Sequence, residues 1–443
     1  MSRTIREGMV ERRRTFHRYP EPAWREFYTT SLLVDEIEHI GVAEQCSDGL
    51  REPNGSRGVD ELAVGREAMA PDERMAVPDD EELEKWFDRA RAAGAREDVL
   101  SACEGGYTGC VAVLDRGEGP SIGLRVDIDG LFIEEASDEG HLPAREGFRS
   151  EHEGMMHACG HDAHMTIGIA VLEAVAESDF SGTFTVFFQP AEEDGGGGRP
   201  MAEGPYMEGI EYLLCVHVGL DHPTGEVVAG IEKPLAMSHM HVDFTGQSSH
   251  AGQAPEKGAN AIQAMATAVS EAYGIPRHAE GMTRVNVGRV EAGTTSNVIA
   301  EDARISAEVR GETTRLMESM KGRFERVCTS AAEMHGCEAD LQVHSESPRA
   351  DSDPELAALV HGVARGVDGV DNPVETADFG ASEDATFLME AVQDAGGLAS
   401  YLVVGTDHPD SHHTPHFDVD ERSLGIALDV LTGSIEKIAA ERP

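Results

Sequence analysis

The chain has 443 residues and a mass of 47.6 kDa, too long for one ordinary domain and suited to two or three. Forty per cent of its residues are hydrophobic, enough for a packed core, which excludes an intrinsically disordered chain. Eighty-two acidic side chains against thirty-six basic ones give a net charge of −46, which repels a phosphate backbone and argues against nucleic-acid binding. The acidity is spread along the whole chain. It reads as adaptation to a high-salt cytoplasm, where a short Debye length screens self-repulsion, more readily than as a binder of cations or basic proteins. No run of about eighteen apolar residues occurs, so no membrane helix is expected. The charged start, Met1 to Arg14, has no apolar segment and is not read as a secretory signal. Seven cysteines without framework spacing point to a reduced, cytoplasmic protein.

In chain order, apolar positions at helical spacing predict helix through Ile5–Ile40, with Gly41 as a stop. Asp48–Pro78, polar and rich in Gly and Glu, reads as a surface insertion or mobile loop. Glu81–Ala93 has helical composition and Gly94 ends it. Gly109–Leu114 and Ile122–Ile128 read as buried strands, Thr166–Ala176 as a helix, and Thr183–Phe188 and Tyr212–Val218 as further strands. Strands alternating with helices imply an α/β core with a mostly parallel sheet. Near Ala236 the pattern changes. His239–Thr245, Thr283–Glu291, Asn297–Arg310 and Cys337–Val343 read as strands, with helices at Ala259–Tyr273 and Thr314–His335. That β-α-β-β-α-β order predicts a ferredoxin-like unit inserted into the larger domain, with boundaries 1–234, 235–346 and 347–443. After Asp353 the α/β style returns, with helices at Pro354–Val367 and Ser423–Ala439 and a strand at Ser400–Val404.

Four clusters carry chemistry. Cys159-Gly160-His161-Asp162-Ala163-His164, just after His157, brings a thiolate and imidazoles together as a borderline-soft divalent metal requires; a polar loop or a redox cysteine is the plainer reading. Glu192 and Glu193 follow the strand Thr183–Phe188, and the carboxyl end of a parallel strand is where α/β sheets place their sites. Adjacent carboxylates there can divide the work of metal ligand and base, or simply be a solvated acidic loop. His217 ends an apolar strand and suits either a ligand or a core histidine. His412, His413 and His416 crowd the loop before the last helix. Together Cys159, His161, Glu193, His217 and His413 offer five ligands of S, N and O type, the number that suits two metals sharing a bridge, and Glu192 is left as a spare carboxylate.

These motifs, with Arg125-Val-Asp127-Ile-Asp129, Ser249-His250-Ala-Gly252, Asn297-Val-Ile and His413-Thr-Pro in that order, resemble the co-catalytic metallopeptidase family of aminoacylases, glutamate carboxypeptidases and amino-acid-conjugate amidohydrolases. Trp24-Arg-Glu-Phe27, Glu104-Gly-Gly-Tyr107, Ser382-Glu-Asp-Ala-Thr386 and the doubled His412-His413 are most similar to its subfamily acting on p-aminobenzoyl-glutamate. The resemblance implies an α/β metallohydrolase domain with an inserted dimerisation domain. It implies amide hydrolysis of an N-acyl amino acid by two divalent ions per chain, zinc by ligand type or manganese by subfamily. It gives Cys159 the bridge, Glu193 and His413 one metal, and His161 and His217 the other. Asp127 orients a ligand histidine, Glu192 is the general base, and His250, reaching a partner's site, stabilises the oxyanion. Asn297 contacts the oxyanion or the substrate carboxylate, and Arg310 grips that carboxylate; a strand-end surface arginine is the plainer reading of Arg310. The expected assembly is a homodimer or a heteromer with a homologous subunit. The alternatives are a hippurate- or indole-acetyl-type amidohydrolase, or a chain that needs its homologous partner for activity.

Overall fold

The structure, a computed structural model, describes residues 3–41 and 58–443. The first part of the expected insertion, up to residue 57, lies outside the described residues. The chain forms two compact units: Met1–Glu232 with Ala350–Phe379 and Asp384–Pro443, and Lys233–Arg349 with Gly380–Glu383.

The large unit begins with helices α1 (Arg3–His17) and α2 (Phe27–Ile40). The continuous periodicity of Ile5–Ile40 is therefore broken. Pro20 and Pro22 sit between the two helices and disfavour helical backbone at the residues before them. Strand β1 (Glu61–Val64) follows, then α3 (Asp80–Ala93), α4 (Glu97–Cys103), β2 (Cys110–Asp115) and β3 (Ser121–Asp127). Next come α5 (Leu142–Glu146), α6 (His161–Glu177), β4 (Thr183–Gln189), α7 (Gly198–Ala202), β5 (Tyr212–Val218), β6 (Glu226–Val228) and β7 (Ile231–Glu232). β1 lies inside the stretch read as a loop. Four residues carry too little periodicity to register, yet they pair antiparallel with β2.

The small unit runs β8 (Ala236–Thr245), β9 (Ser249–His250), α8 (Ala261–Ala272), β10 (Thr283–Ala292), β11 (Val298–Ile299), β12 (Asp302–Gly311), α9 (Thr314–Met334) and β13 (Glu338–Ser347). The large unit then resumes with α10 (Pro354–Ala364), β14 (Asn372–Val374), β15 (Ala377–Asp378), α11 (Thr386–Asp394), β16 (Leu398–Val404) and α12 (Arg422–Glu441).

The large unit's sheet has the order β1-β2-β4-β3-β5-β16-β6-β14. It is mixed. β4, β3, β5 and β16 run parallel at its centre, whereas β1, β2 and β6 add antiparallel pairs. Fifteen of the seventeen residues of α6 are buried, so the helix that carries His161 is packed all round. The small unit's sheet has the order β10-β12-β8-β13, all antiparallel, which is the ferredoxin-like arrangement. Its β8 alternates buried and half-buried positions along its length, one face against α8 and α9 and the other open. No helix among the described residues is long and apolar enough to cross a membrane.

Candidate metal centre

The centre is built at the carboxyl ends of three neighbouring parallel strands, β4, β3 and β5, together with the first turn of α6. β5 ends with His217 and Val218. β3 runs into Asp127 and Asp129, and β4 into Glu192 and Glu193. Gly160 precedes α6 with φ +86, and a Cβ there would meet Val218 Cγ2 at 2.6 Å. Glycine thus lets the chain turn tightly between Cys159 and His161.

Ligating atoms of Cys159, His161 and His217 converge within 4.8 Å of one another, and so do those of Cys159, Glu193 and His413. The two triads share Cys159. His217 Nδ1 donates to the carbonyl of Val218 at 2.8 Å, which leaves Nε2 deprotonated and 3.5 Å from Cys159 Sγ. Burial holds His217 well below its ordinary pKa, in the neutral form a metal takes. His413 Nε2 lies 3.3 Å from Glu193 Oε2. His161 Nε2 and Glu193 Oε1 stand 3.7 Å apart, both buried and both without a hydrogen-bond partner. A buried imidazole nitrogen and carboxylate oxygen left open toward each other are costly unless a cation fills the gap. Burial, reinforced by Asp129 and Asp127, pushes Glu193 up to about 8 against the pull of His161. The donor set and these orphaned atoms fit a dinuclear divalent centre.

The residues around it fix tautomers and backbone. Asp129 accepts from His161 Nδ1 at 3.1 Å and from the backbone N–H of Glu193 at 3.0 Å, so one carboxylate orients two candidate ligands. The resemblance gave the orienting task to Asp127. That carboxylate makes its short bond to His164 Nδ1, 2.5 Å, and stands 3.5 Å from His161 Nε2. Burial opposes its charge, but His161, His164 and Arg125 outweigh burial and hold Asp127 well below the usual carboxylate range. Arg125, fully buried, donates to Asp127, Gln189 and Asp384, and Asp384 also accepts from the N–H groups of Gly197 and Gly198. Ala191 adopts φ +54 between Pro190 and Glu192, with its N–H held by Glu26 Oε1 at 2.8 Å, and His413 adopts φ +61. Left-handed backbone at non-glycine residues on both sides of the centre is strain of the kind that collects at functional sites. Glu192 lies beside these ligands, its Oε2 3.9 Å from His161 Nε2.

The structure thus brings Cys159, His161, Glu192, Glu193, His217, His413 and Asp127 together. His250, Asn297 and Arg310 belong to the small unit. There β9 pairs with β11, and the Asn297 carbonyl accepts from Ala251 N–H at 3.0 Å, so His250 and Asn297 are neighbours. His250 Nδ1 accepts the N–H groups of Gly252 and Gln253, which puts its ring proton on Nε2, facing outward from an exposed side chain. Arg310 is paired with Glu308 on its own strand. Sequence reasoning assigned no role to Asp129, His164 or Arg125. They stand inside its motifs, but their partners are set by long-range contacts.

Residues 123–437 match Peptidase family M20/M25/M40, and the chain belongs to that family of metal-dependent hydrolases. It is 37% identical to one of the subunits of the p-aminobenzoyl-glutamate hydrolase of Escherichia coli K12, over 95% of this chain and 93% of that one. It is equally identical, 37%, to indole-3-acetyl-aspartic acid hydrolase of Enterobacter agglomerans, over 97% of this chain and 95% of that one. Among solved structures, the aminobenzoyl-glutamate utilization protein of Klebsiella pneumoniae superposes with a TM-score of 0.82 at 31% identity, covering 99% of this chain and 98% of that one.

Proposed function

We propose that the protein hydrolyses the amide bond between an aromatic acyl group and an acidic amino acid, with p-aminobenzoyl-glutamate as its leading substrate. The observation that carries this reading is the pair of ligand triads sharing Cys159 with Glu192 beside them. The two relatives at 37% identity support the substrate class, because each is named for an aromatic acyl group joined to glutamate or aspartate.

Cys159, His161, Glu193, His217 and His413 would hold two divalent ions, manganese or zinc, with Cys159 common to the Glu193–His413 set and the His161–His217 set. When bound, such a pair lowers the pKa of the attacking water and polarises the scissile carbonyl. Glu192 takes the proton of that water and hands it to the departing amine nitrogen. Asp129 holds His161 in the tautomer this arrangement needs, and His164 anchors the Asp127 carboxylate and the Val218 backbone N–H. His250, with its proton on Nε2, donates to the oxyanion from the inserted unit of a second copy, and Asn297 assists. Arg310 grips the substrate carboxylate after exchanging its Glu308 partner. The working assembly is a dimer through residues 235–346, with itself or with a homologous chain, as the naming of the Escherichia coli relative for one subunit of its enzyme suggests. A reducing, high-salt cytoplasm is supported by six cysteines free of disulfides among the described residues and by the charge of −46.

The test is glutamate release from p-aminobenzoyl-glutamate in molar KCl with manganese or zinc supplied separately. Hippurate and indole-3-acetyl-aspartate are run alongside. Comparable kcat/KM on the indole conjugate would extend the acyl side, and cleavage of hippurate alone would overturn the acidic-amino-acid assignment. Glu192→Gln is expected to keep two ions per chain and lose about 10²–10⁴-fold in kcat. Retained activity would remove Glu192 from the role of base.

A further inference from the structure

The small unit carries a cavity lined by its own residues alone. It is a groove of about 990 Å³ between α8, α9 and the connection 274–280. That volume lies at the upper end of the range of small-molecule sites. Its floor is the stripe Val327, Ala331 and Met334 on successive turns of α9, with Ile275 behind it. Met334 is 71% exposed, the most exposed large hydrophobic side chain among the described residues. A thioether held open at the end of a helix is poorly placed for stability and well placed for contact with an apolar ligand.

The walls carry Arg277, Arg323 and Arg326. Carboxylates outnumber cationic side chains in this chain by 82 to 36, so three arginines gathered on one groove reverse the charge of the chain locally. None of these three makes an ion pair among the described residues. Arg277 donates to the carbonyl of Ile275 at 3.0 Å and Arg323 to that of Pro276 at 3.1 Å. The Arg326 side chain makes no hydrogen bond among the described residues. Of the two acidic side chains on the rim, Glu280 is paired with Arg315, and Glu271 makes no ion pair among the described residues. The groove is therefore a positively charged, partly apolar pocket in a strongly negative protein.

We infer that this groove binds a small aryl carboxylate. The guanidinium fork suits a carboxylate, and guanidinium faces together with a thioether suit an aromatic body better than an aliphatic one. The site stands on the small unit's own residues and does not depend on the reaction proposed above.

The experiment uses 4-benzoylbenzoate, an aryl carboxylate photoprobe, on the full-length protein at the lowest KCl that keeps it folded. Peptide mapping follows irradiation. The expected result is a label in the segment 323–334, centred on Met334 and competed by excess benzoate. Arg323→Ala/Arg326→Ala is expected to reduce that label at least tenfold while hydrolysis is unchanged. Arg326→Gln, at an exposed position, serves if the double variant does not fold, with a reduction of at least threefold. An undiminished label in these variants, or a label only elsewhere in the chain, would overturn the inference. So would light scattering showing that the same variants dissociate an oligomer, since the groove would then be an interface between copies.

Discussion

Arg13 and Arg304 each hold carboxylates with two arms of the guanidinium, in opposite surroundings. Arg13 lies fully buried in α1. It donates to Asp162 Oδ2 at 2.9 Å, to Asp418, and to the carbonyl of Val419. Arg304 lies on the open face of the small unit's sheet, bidentate to Asp243 at 2.6 and 2.7 Å, with side chains 52% and 32% exposed. The first pair joins a network. Asp162 also binds His17, which spans to Glu135, and Glu135 binds His141. Asp162 adjoins His161, and Asp418 lies five residues past His413, so Arg13 ties together the segments bearing one candidate ligand of each triad. The same bond is thus a framework element of the metal centre in one place and a solvated surface contact in the other. The difference lies in desolvation, since removing one partner of a buried pair leaves a charge that water cannot reach.

The largest expected effect follows from that. Arg13→Ala leaves Asp162 and Asp418 facing each other in the interior, and should cost about 3–5 kcal/mol in the urea unfolding of the large unit. Loss of less than about 1 kcal/mol would show that the network is wetter than its burial implies. A second probe is pH. Burial alone would lower the pKa of His17, but Asp162 and Glu135 outweigh it and raise it from 6.5 to about 9. A raised imidazole pKa contributes stability fully below the unfolded value of 6.5 and loses it as pH climbs through about 9. Glu135 works in the other direction. Its histidine bonds overcome burial and depress it from 4.5 to about 2, so its contribution is present above 4.5 and lost as pH falls toward 2. Stability should therefore plateau between about pH 4.5 and 6.5 and decline on the alkaline side by roughly 3 kcal/mol. Urea midpoints at pH 6 and 9 for the wild type and His17→Gln would check it. An alkaline decline that persists in His17→Gln would belong to another group.

The network also explains what the sequence concealed. The helix read as Thr166–Ala176 begins at His161, because His161, Asp162 and His164 interrupt the apolar pattern. Those polar residues are nonetheless buried, made tolerable by Arg13, Asp127 and Asp129, partners 32 to 149 positions away that no local pattern contains. The small unit was easier to read. Its β8 alternates regularly, and α9 carries an apolar face of Leu316, Met320, Phe324 and Cys328, so period 2 and period 3.6 stand out without knowledge of partners. The candidate donors stood out in the sequence for a related reason. Cys159 and His161 sit two residues apart at the start of α6, and Glu192 and Glu193 adjoin just after β4. Asp129 and Arg125 were not legible as supports, since an acid or arginine on a strand end looks the same whether it meets water or Asp384.

The smallest expected effect tests the other half of the comparison. Arg304→Ala removes an exposed ion pair, worth about 0.2–1 kcal/mol in dilute buffer. Asp243→Asn removes the same pair but also one negative charge from a chain at −46. If the pair's attraction were all that mattered, the two variants would lose equal stability. Self-repulsion separates them: Arg304→Ala deepens the charge imbalance and should cost more, and Asp243→Asn relieves it and should cost less. In 1 M KCl the Debye length falls to about 3 Å, and both differences should collapse toward zero, whereas the cost of Arg13→Ala, in a dry interior, should remain. Thermal melts of the three variants across a KCl series would decide it. A cost for Arg304→Ala that survives molar salt would mean that this face of the sheet is covered in solution rather than open.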